Sequence, residues 1–428
     1  MTQQPTRETI FALSSGQPPA AIAIVRVSGA EAVAALTRLA GRVPPPRVAT
    51  LMALGQDAIL DRALVLLFPG PHSATGEDLV ELHLHGGRAV VAAVEAALGA
   101  MPGLRRAEPG EFTRRAFANG RIDLAEAEGL GDLLTAETEG QRRNAMALAD
   151  GTLSRAVRRW REALIDAAAA IEARIDFSDE DDVPDDDGAA AAIVGPLRDE
   201  IAAMLRVPPA ERLRDGVRVV IGGPPNAGKS TLFNALVGRE AAIATPIAGT
   251  TRDLIEYPVH LGGVAFVFVD TAGLRETEDV IERIGVDRAA AAVASADVIL
   301  WLGDVAEAPV GSLRVHARCD EAGRDRVAAG GDLAVSAITG AGMDALVREL
   351  VSRGTSLLPR EGEIALAQRQ RAALADAEDA LRMGERTRDI LIIAESIRAA
   401  RAALDRLTGD GGVEPLLDAI FSRFCIGK

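Results

Sequence analysis

The stretch Gly223-Pro224-Pro225-Asn226-Ala227-Gly228-Lys229-Ser230 constrains this chain more than any other. It fits G-x-x-x-x-G-K-[ST], in which a glycine-rich loop turns its backbone N–H groups toward a phosphate. The apolar run 217–221 before it reads as a buried strand, and 230–237 after it reads as the start of a helix. Strand, loop and helix N-terminus together predict an anion-binding nest. In such a nest Lys229 reaches the β- and γ-phosphates and the Ser230 hydroxyl ligates Mg²⁺.

Downstream, segments 264–270, 298–302, 313–317 and 333–336 read as strands, with helical stretches between several of them. That alternation predicts a mostly parallel sheet covered on both faces. Three signals follow the loop in the order a GTPase domain requires. Gly249-Thr250-Thr251-Arg252-Asp253 is a polar loop in which a threonine hydroxyl can complete the Mg²⁺ shell and sense the γ-phosphate. Asp270-Thr271-Ala272-Gly273 ends an apolar strand; Asp270 can hold Mg²⁺ through water, and the Gly273 N–H can touch the γ-phosphate. Ser336-Ala337 ends another strand and can offer N–H groups to a base carbonyl. Ala317-Arg318-Cys319-Asp320 stands where N-K-x-D is usual. Asp320 keeps the carboxylate that accepts two guanine N–H donors, which adenine cannot match. The amide is gone and Arg318 replaces lysine, its guanidinium plane free to stack on the base. Guanine binding weaker or less exclusive than usual is therefore expected. Leu274 occupies the position where many GTPases place a water-orienting glutamine. Glu282 is the candidate for that role, although spacing alone fits an exposed helix carboxylate better. The Asn226 side-chain carbonyl can ligate a monovalent cation, which would neutralise charge as an arginine finger does elsewhere.

At 428 residues the chain has room for roughly three domains. No run of 18 apolar residues is present, and the N-terminus lacks an apolar signal core. A cytoplasmic protein without a membrane span is expected. Cys319 and Cys425 are too few for a disulfide framework and fit a reducing compartment. A net charge of −15 is unusual for a protein whose main work is gripping phosphate backbones, so contacts to nucleic acid would be local or supplied by a partner. Residues 1–118 mix strand-like runs (21–27, 63–68, 79–84) with helical ones (30–39, 89–98), which predicts an α+β domain. Residues 119–212 and 355–428 carry the 3.6-residue period of helices and flank the α/β segment 213–354. An insertion of this kind can pass its nucleotide state to its flanks. Eight carboxylates between Asp176 and Asp187 read as a cation or basic-partner site or, more plainly, as a solvated connection between helices.

Taken with both flanks, these residues resemble the MnmE (TrmE) family of tRNA-modification GTPases over nearly the whole chain. The most specific matches lie outside the GTPase segment. They are the runs 109–117 (PGEFTRRAF) and 119–124 (NGRIDL), Thr75-Gly76-Glu77-Asp78 with Glu81 and His85-Gly86-Gly87, and the terminal Phe424-Cys425-Ile426-Gly427-Lys428. The resemblance implies a multidomain fold: an α+β N-terminal folate-binding-like domain that dimerises, an α-helical domain, and an inserted α/β P-loop GTPase domain. It implies a homodimeric GTPase activated by K⁺ when two GTPase domains meet, working with the flavoprotein MnmG, which carries FAD, as a heterotetramer. Together they would add an aminomethyl or carboxymethylaminomethyl group to C5 of the wobble uridine of tRNA. Carried over by position, Arg26, Glu81, Arg121 and Lys428 would contact 5-formyltetrahydrofolate or a related tetrahydrofolate; Arg121 stands where lysine is common. Asn226, Thr245, Ile247 and Thr250 would surround K⁺, and Ser230 and Thr251 would ligate Mg²⁺. The GTP-binding set is then Asn226, Ala227, Gly228, Lys229, Ser230, Thr231, Thr245, Ile247, Ala248, Gly249, Thr250, Thr251, Asp270, Thr271, Ala272, Gly273, Asp320, Ser336 and Ala337. Glu282 gains support as the water-orienting residue.

Cys425, beside Lys428 and a bound folate, would have a lowered thiol pKa and could act as nucleophile or proton donor; from the residues alone a small buried hydrophobe fits better. His83 and His85 share one side of a strand; metal binding is conceivable, but packing or hydrogen bonding is favoured. Cys319 reads as packing. Arg155, Arg158, Arg159 and Arg161 with Trp160 form a basic helical face suited to tRNA phosphates or an acidic partner, or simply to water. Two rivals stand beside the main reading. One is a regulatory RNA- or ribosome-associated GTPase switch without its own modification chemistry. The other is a folate-dependent one-carbon transferase with an appended regulatory GTPase.

Overall fold

The computed structural model describes residues 8–176, 188–238, 256–269, 294–324, 333–409, 414–422, 424, 426 and 427. The chain divides into two compact units. One comprises residues 1–131, 149–157 and 405–428; the other comprises residues 132–148 and 158–404.

In the first unit, strands β1 (Thr9–Leu13), β2 (Ile22–Ser28), β3 (Thr50–Leu54), β4 (Asp61–Phe68), β5 (Leu79–His85) and β6 (Leu104–Arg106) form one sheet, ordered β3-β4-β5-β2-β1-β6. Only β1 and β6 pair in parallel. Period-2 alternation sends Ala23, Val25 and Val27 of β2, with Val80, Leu82 and Leu84 of β5, to one buried face. Helix α1 (Ala32–Ala40) covers that face through Ala32, Ala35, Leu36 and Leu39, and α2 (Arg88–Gly99) through Val91, Val94 and Leu98. Each of these spacings is one stripe of a 3.6-residue helix. On the other face, helix α3 (Glu111–Ala118) lays Phe112 over Ile10, Ala12 and Leu79. Among the described residues the rest of that face, toward β5, β4 and β3, is open, with Ile22, Leu51 and Leu64 exposed on it.

The chain's last residues fasten onto this unit. Phe421 and Phe424 bury against Leu124 and Ala127, and Ile426 forms a β-bridge with Pro109. Two glycines permit the approach. A Cβ on Gly110 (φ 68°) would lie 2.2 Å from the Phe421 carbonyl oxygen, and one on Gly427 (φ 95°) would lie 2.1 Å from that of Leu13. Both the contact and the left-handed backbone exclude larger residues.

In the second unit, β7 (Val217–Gly222), β8 (Glu256–Leu261), β9 (Val264–Val269), β10 (Val298–Trp301), β11 (Leu313–Ala317) and β12 (Leu333–Val335) form a sheet ordered β12-β11-β10-β7-β9-β8. All pairs are parallel except the β8–β9 hairpin. Val217, Val219, Val220 and Ile221 of β7 are all buried, as a central parallel strand requires. Helix Lys229–Gly238 contributes Leu232, Phe233 and Leu236 to the core, and helix Met343–Ser356 contributes Met343, Leu346 and Leu350. Burying a side chain of this size stabilises by roughly 1.5–3 kcal/mol. The crossover from β10 to β11, residues 302–312, has no α-helix, only the 3₁₀ turn Val305–Glu307. A helix is the usual device for joining neighbouring parallel strands.

Helix Gln368–Glu385 packs on Gly188–Leu205, burying Leu374, Ala377 and Leu381. Both chain connections between the sheet and the helices run over helix Glu139–Ala149. The Gln141 amide donates to the Leu213 carbonyl at 2.9 Å. Asn144 exchanges two bonds with Ala365, donating to its carbonyl (3.2 Å) and accepting from its N–H (2.8 Å). No described helix is long and apolar enough to cross a membrane. Because the Asn144 pair is buried, Asn144→Ala strands two backbone groups and should lower stability by about 1–3 kcal/mol. Urea unfolding read by tryptophan fluorescence checks this; both tryptophans, Trp160 and Trp301, lie in this unit. An unchanged midpoint would contradict it.

Candidate functional site

β7 delivers the chain to the loop 223–228, and helix Lys229–Gly238 leaves it. Asn226 adopts φ 61°, a left-handed conformation that asparagine tolerates better than most side chains. The Lys229 ammonium donates to the carbonyls of Gly223 (2.8 Å) and Pro224 (2.7 Å), so its charge sits over its own loop. Beside the loop opens a cavity of about 500 Å³, lined among others by Asn226, Gly228, Lys229, Ser230 and Thr231. That volume suits a mononucleotide-sized ligand.

The far wall comes from elements 90 to 110 residues downstream in sequence, by rough count. Arg318 and Asp320 follow β11, and Ala337 and Ile338 follow β12. Arg318 (φ 62°) donates through its guanidinium to the Asn226 carbonyl at 3.0 Å and pairs through Nε with Glu321. Its side-chain carbons also lie over Gly228. The guanidinium ties the base-side loop to the phosphate loop, a contact the sequence did not predict. Ser336 is fully buried, and its hydroxyl accepts the Thr339 N–H at 3.1 Å, which shapes the turn that exposes Ala337 and Ile338 to the cavity. Arg324 braces the same loop by donating to the Ala317 carbonyl at 3.1 Å. Ile338, Glu321 and Arg324 were not singled out from sequence. Ile338 follows Ser336-Ala337 directly, which was the available signal; the bonds of Arg324 depend on a loop path that spacing does not specify. Cys319 is half-buried and donates its N–H to the Val335 carbonyl.

Thus Asn226, Ala227, Gly228, Lys229, Ser230, Thr231, Asp320, Ser336 and Ala337 converge around one loop and one cavity. Thr245, Ile247, Ala248, Gly249, Thr250, Thr251, Asp270, Thr271, Ala272, Gly273, Leu274 and Glu282 lie outside the described residues, as do Cys425 and Lys428 and most of the acidic run 176–187.

On the open face of the N-terminal sheet, Arg26 and Glu81 stand directly opposite one another on β2 and β5. Arg26 Nε donates to Glu81 Oε1 at 2.9 Å. Toward the β1 end, Ser28, Thr75 and Glu77 form a buried polar cluster closed by Arg115 (Ser28–Thr75, 2.7 Å; Arg115–Glu77, 3.0 Å). Arg121 packs its stem against Gly76 in the same loop. The tail passes close by: Gly427 lies against Leu13, whose neighbour Ala12 pairs with Arg26. His83 and His85 hydrogen-bond to carboxylates, Glu81 (3.2 Å) and Asp61 (2.7 Å) respectively. Among the described residues no three His, Cys, Asp or Glu gather to hold a metal ion. The arginine-rich face of 155–161 is partly spent within the chain: Arg159 and the buried Trp160 both bond to Glu200.

The profile of the MnmE helical domain matches residues 124–425, and that of the GTP-binding protein TrmE N-terminus matches residues 9–121. The tRNA modification GTPase MnmE of Rhizorhabdus wittichii is 59% identical over 98% of this chain and 97% of its own length. Its counterpart in Erythrobacter litoralis is 58% identical over 98% of this chain and its own full length. That of Azorhizobium caulinodans is 50% identical over 98% and 99%.

Glu111 gives the N-terminal unit a pH signature. Burial alone would raise its carboxyl, but Arg105, the Glu108 N–H and Arg115 outweigh that and hold it below the unfolded value of 4.5. A depressed carboxyl contributes stability that is complete above that value and lost as pH falls through the lower folded value. Melting temperature should therefore drop below about pH 4.5 in the native chain. Glu111→Gln should be less stable at pH 7 and show a shallower acid slope; an identical slope would contradict the assignment.

Proposed function

The chain belongs to the MnmE family of tRNA modification GTPases, and from that premise we propose how it works. It is a GTP hydrolase that takes part in tRNA modification. The observation that carries the finer reading is the single cavity collecting Lys229 and Ser230 on one wall and Arg318, Asp320 and Ala337 on the other. Those residues fit a guanine nucleotide. Lys229 exchanges its loop carbonyls for phosphate oxygens, Asp320 accepts the base N–H donors, and backbone N–H groups after β12 meet the base carbonyl. Ser230 and Thr251 would hold Mg²⁺, which neutralises phosphate charge. K⁺ would be held by Asn226, Thr245, the Ile247 backbone and Thr250. The Asn226 backbone carbonyl already faces the Arg318 cation, so the ligand from this residue is its side-chain oxygen. Glu282 orients the attacking water in place of the glutamine that Leu274 excludes.

The open N-terminal face supports a homodimer and a folate site. Ile22 (59% exposed), Leu51 (60%) and Leu64 (47%) share it with the Arg26–Glu81 pair. Exposed apolar residues on the same face as a fixed charge pair favour cover by a second subunit and a ligand with a polar edge. Arg26, Glu81, Arg121 and Lys428 bind 5-formyltetrahydrofolate or a related tetrahydrofolate. Cys425 in the same tail acts in the modification step as nucleophile or proton donor. The flavoprotein partner is MnmG, and the product is a tRNA whose wobble uridine carries an aminomethyl or carboxymethylaminomethyl group at C5. The domains are 1–118, 119–212 with 355–428, and 213–354, and the setting is the cytoplasm.

Purified chain, MnmG with reduced FAD, tRNA, GTP, a tetrahydrofolate loaded with the one-carbon unit, and ammonium or glycine as the amine should give modified wobble uridine in KCl. Phosphate release should fall at least about tenfold in NaCl at equal ionic strength, the scale of one lost charge contact at the transition state. Cys425→Ser should keep GTP hydrolysis and lose modification. Equal rates in the two salts would remove K⁺ from the reading, and modification by the serine variant would remove Cys425.

A further inference from the structure

The Arg26–Glu81 pair has a third member. His83 lies two residues beyond Glu81 on β5, so both side chains rise from the same open face of the sheet. His83 Nε2 lies 3.2 Å from Glu81 Oε2, while Arg26 Nε donates to Oε1. The carboxylate is thus held at both oxygens, from β2 on one side and from its own strand on the other. Glu81 is only 14% exposed. His85, the next residue on that side of the strand, is engaged elsewhere, with Asp61. His83 also marks a boundary. In its cross-strand row stand Leu64, Leu51 and Ile24, which are apolar. In the next row stand Arg26 and Glu81.

We propose that His83 is a positioning residue of the folate site: it fixes the Glu81 carboxylate so that its remaining lone pairs meet the paired N–H donors on the edge of a 2-amino-4-oxopteridine ring. The proposal rests on the folate reading above. Its chemistry follows from the partners. A carboxylate paired with a guanidinium can only accept, so His83 presents Nε2–H to Oε2. Arg26 alone would leave Oε2 free to swing about the terminal torsion of the glutamate side chain, which is broad and soft. A ligand that needs both oxygens coplanar with its ring then has to order that torsion on binding. Holding the second oxygen in advance removes that cost. No group other than a donor at this position serves, which separates the role from simple packing.

The test is binding of 5-formyltetrahydrofolate to the full-length protein by isothermal titration, with thermal melting as the check on folding. His83→Ala should weaken binding about tenfold, the scale of one hydrogen bond to a charged group. His83→Gln, whose amide N–H can still donate to Glu81, should return binding to within about threefold of the native chain. His83→Leu fills the space without a donor and should behave as alanine does. Binding by His83→Ala at native strength, or leucine restoring it as well as glutamine, overturns the positioning role while the folate reading stands. A native chain that fails to bind 5-formyltetrahydrofolate overturns the folate reading itself, and this inference with it.

Discussion

Everything at the nucleotide cavity depends on β7 being paired in parallel on both sides. The register Val219–Phe268 on one flank and Val219–Val298 on the other fixes where β7 ends, and hence where the phosphate loop begins. Because β10, β11 and β12 run the same way, their carboxyl ends lie at the same edge of the sheet. The loops leaving that edge, 223–228, 318–321 and 336–338, are therefore brought together although they are far apart in the chain. The Arg318–Asn226 bond closes the arrangement by joining base-side and phosphate-side loops directly. Glu321 holds the guanidinium from the other side, so the bridge is itself anchored.

Much of this was legible in the sequence, and the reasons differ by element. The central strands were plain because burial on both faces writes a continuous apolar run, as in 217–221. The phosphate loop was plain because its glycines, lysine and serine have fixed offsets. Strands β1, β3 and β6 were not picked out, since three to five residues at or near a sheet edge carry too little alternation. The antiparallel β8 was missed for a related reason: Pro258 inside it reads as a breaker, and only an edge strand accommodates it. The bond of Arg318 to the phosphate loop was not legible, because sequence gives the residue but not the loop path that brings the Asn226 carbonyl within reach. The Arg26–Glu81 pairing needed the β2–β5 register; the resemblance named both residues, and the ladder explains why they meet.

The helical parts of the second unit show how a nucleotide domain can be joined to its surroundings without slack. Helix Glu139–Ala149 receives both connections of the inserted sheet, one through Gln141 and the other through Asn144. The two connections also bond to each other, Ala210 N–H to the Leu366 carbonyl at 3.0 Å. Arg212 adds an ion pair to Asp297, just before β10, and His260 on the β8–β9 hairpin pairs with Glu137. A movement of the sheet relative to this helix must carry these bonds with it or break them, and buried amide pairs cost about 1–3 kcal/mol to break.

Competition for a fluorescent guanine-nucleotide analogue tests most directly whether the cavity behind the phosphate loop reads guanine through Asp320. GTP should displace the analogue at concentrations at least about a hundredfold below ATP, the discrimination expected when a carboxylate meets an acceptor nitrogen in place of two N–H donors. Displacement by GTP and ATP at the same concentration would contradict a guanine-nucleotide site there.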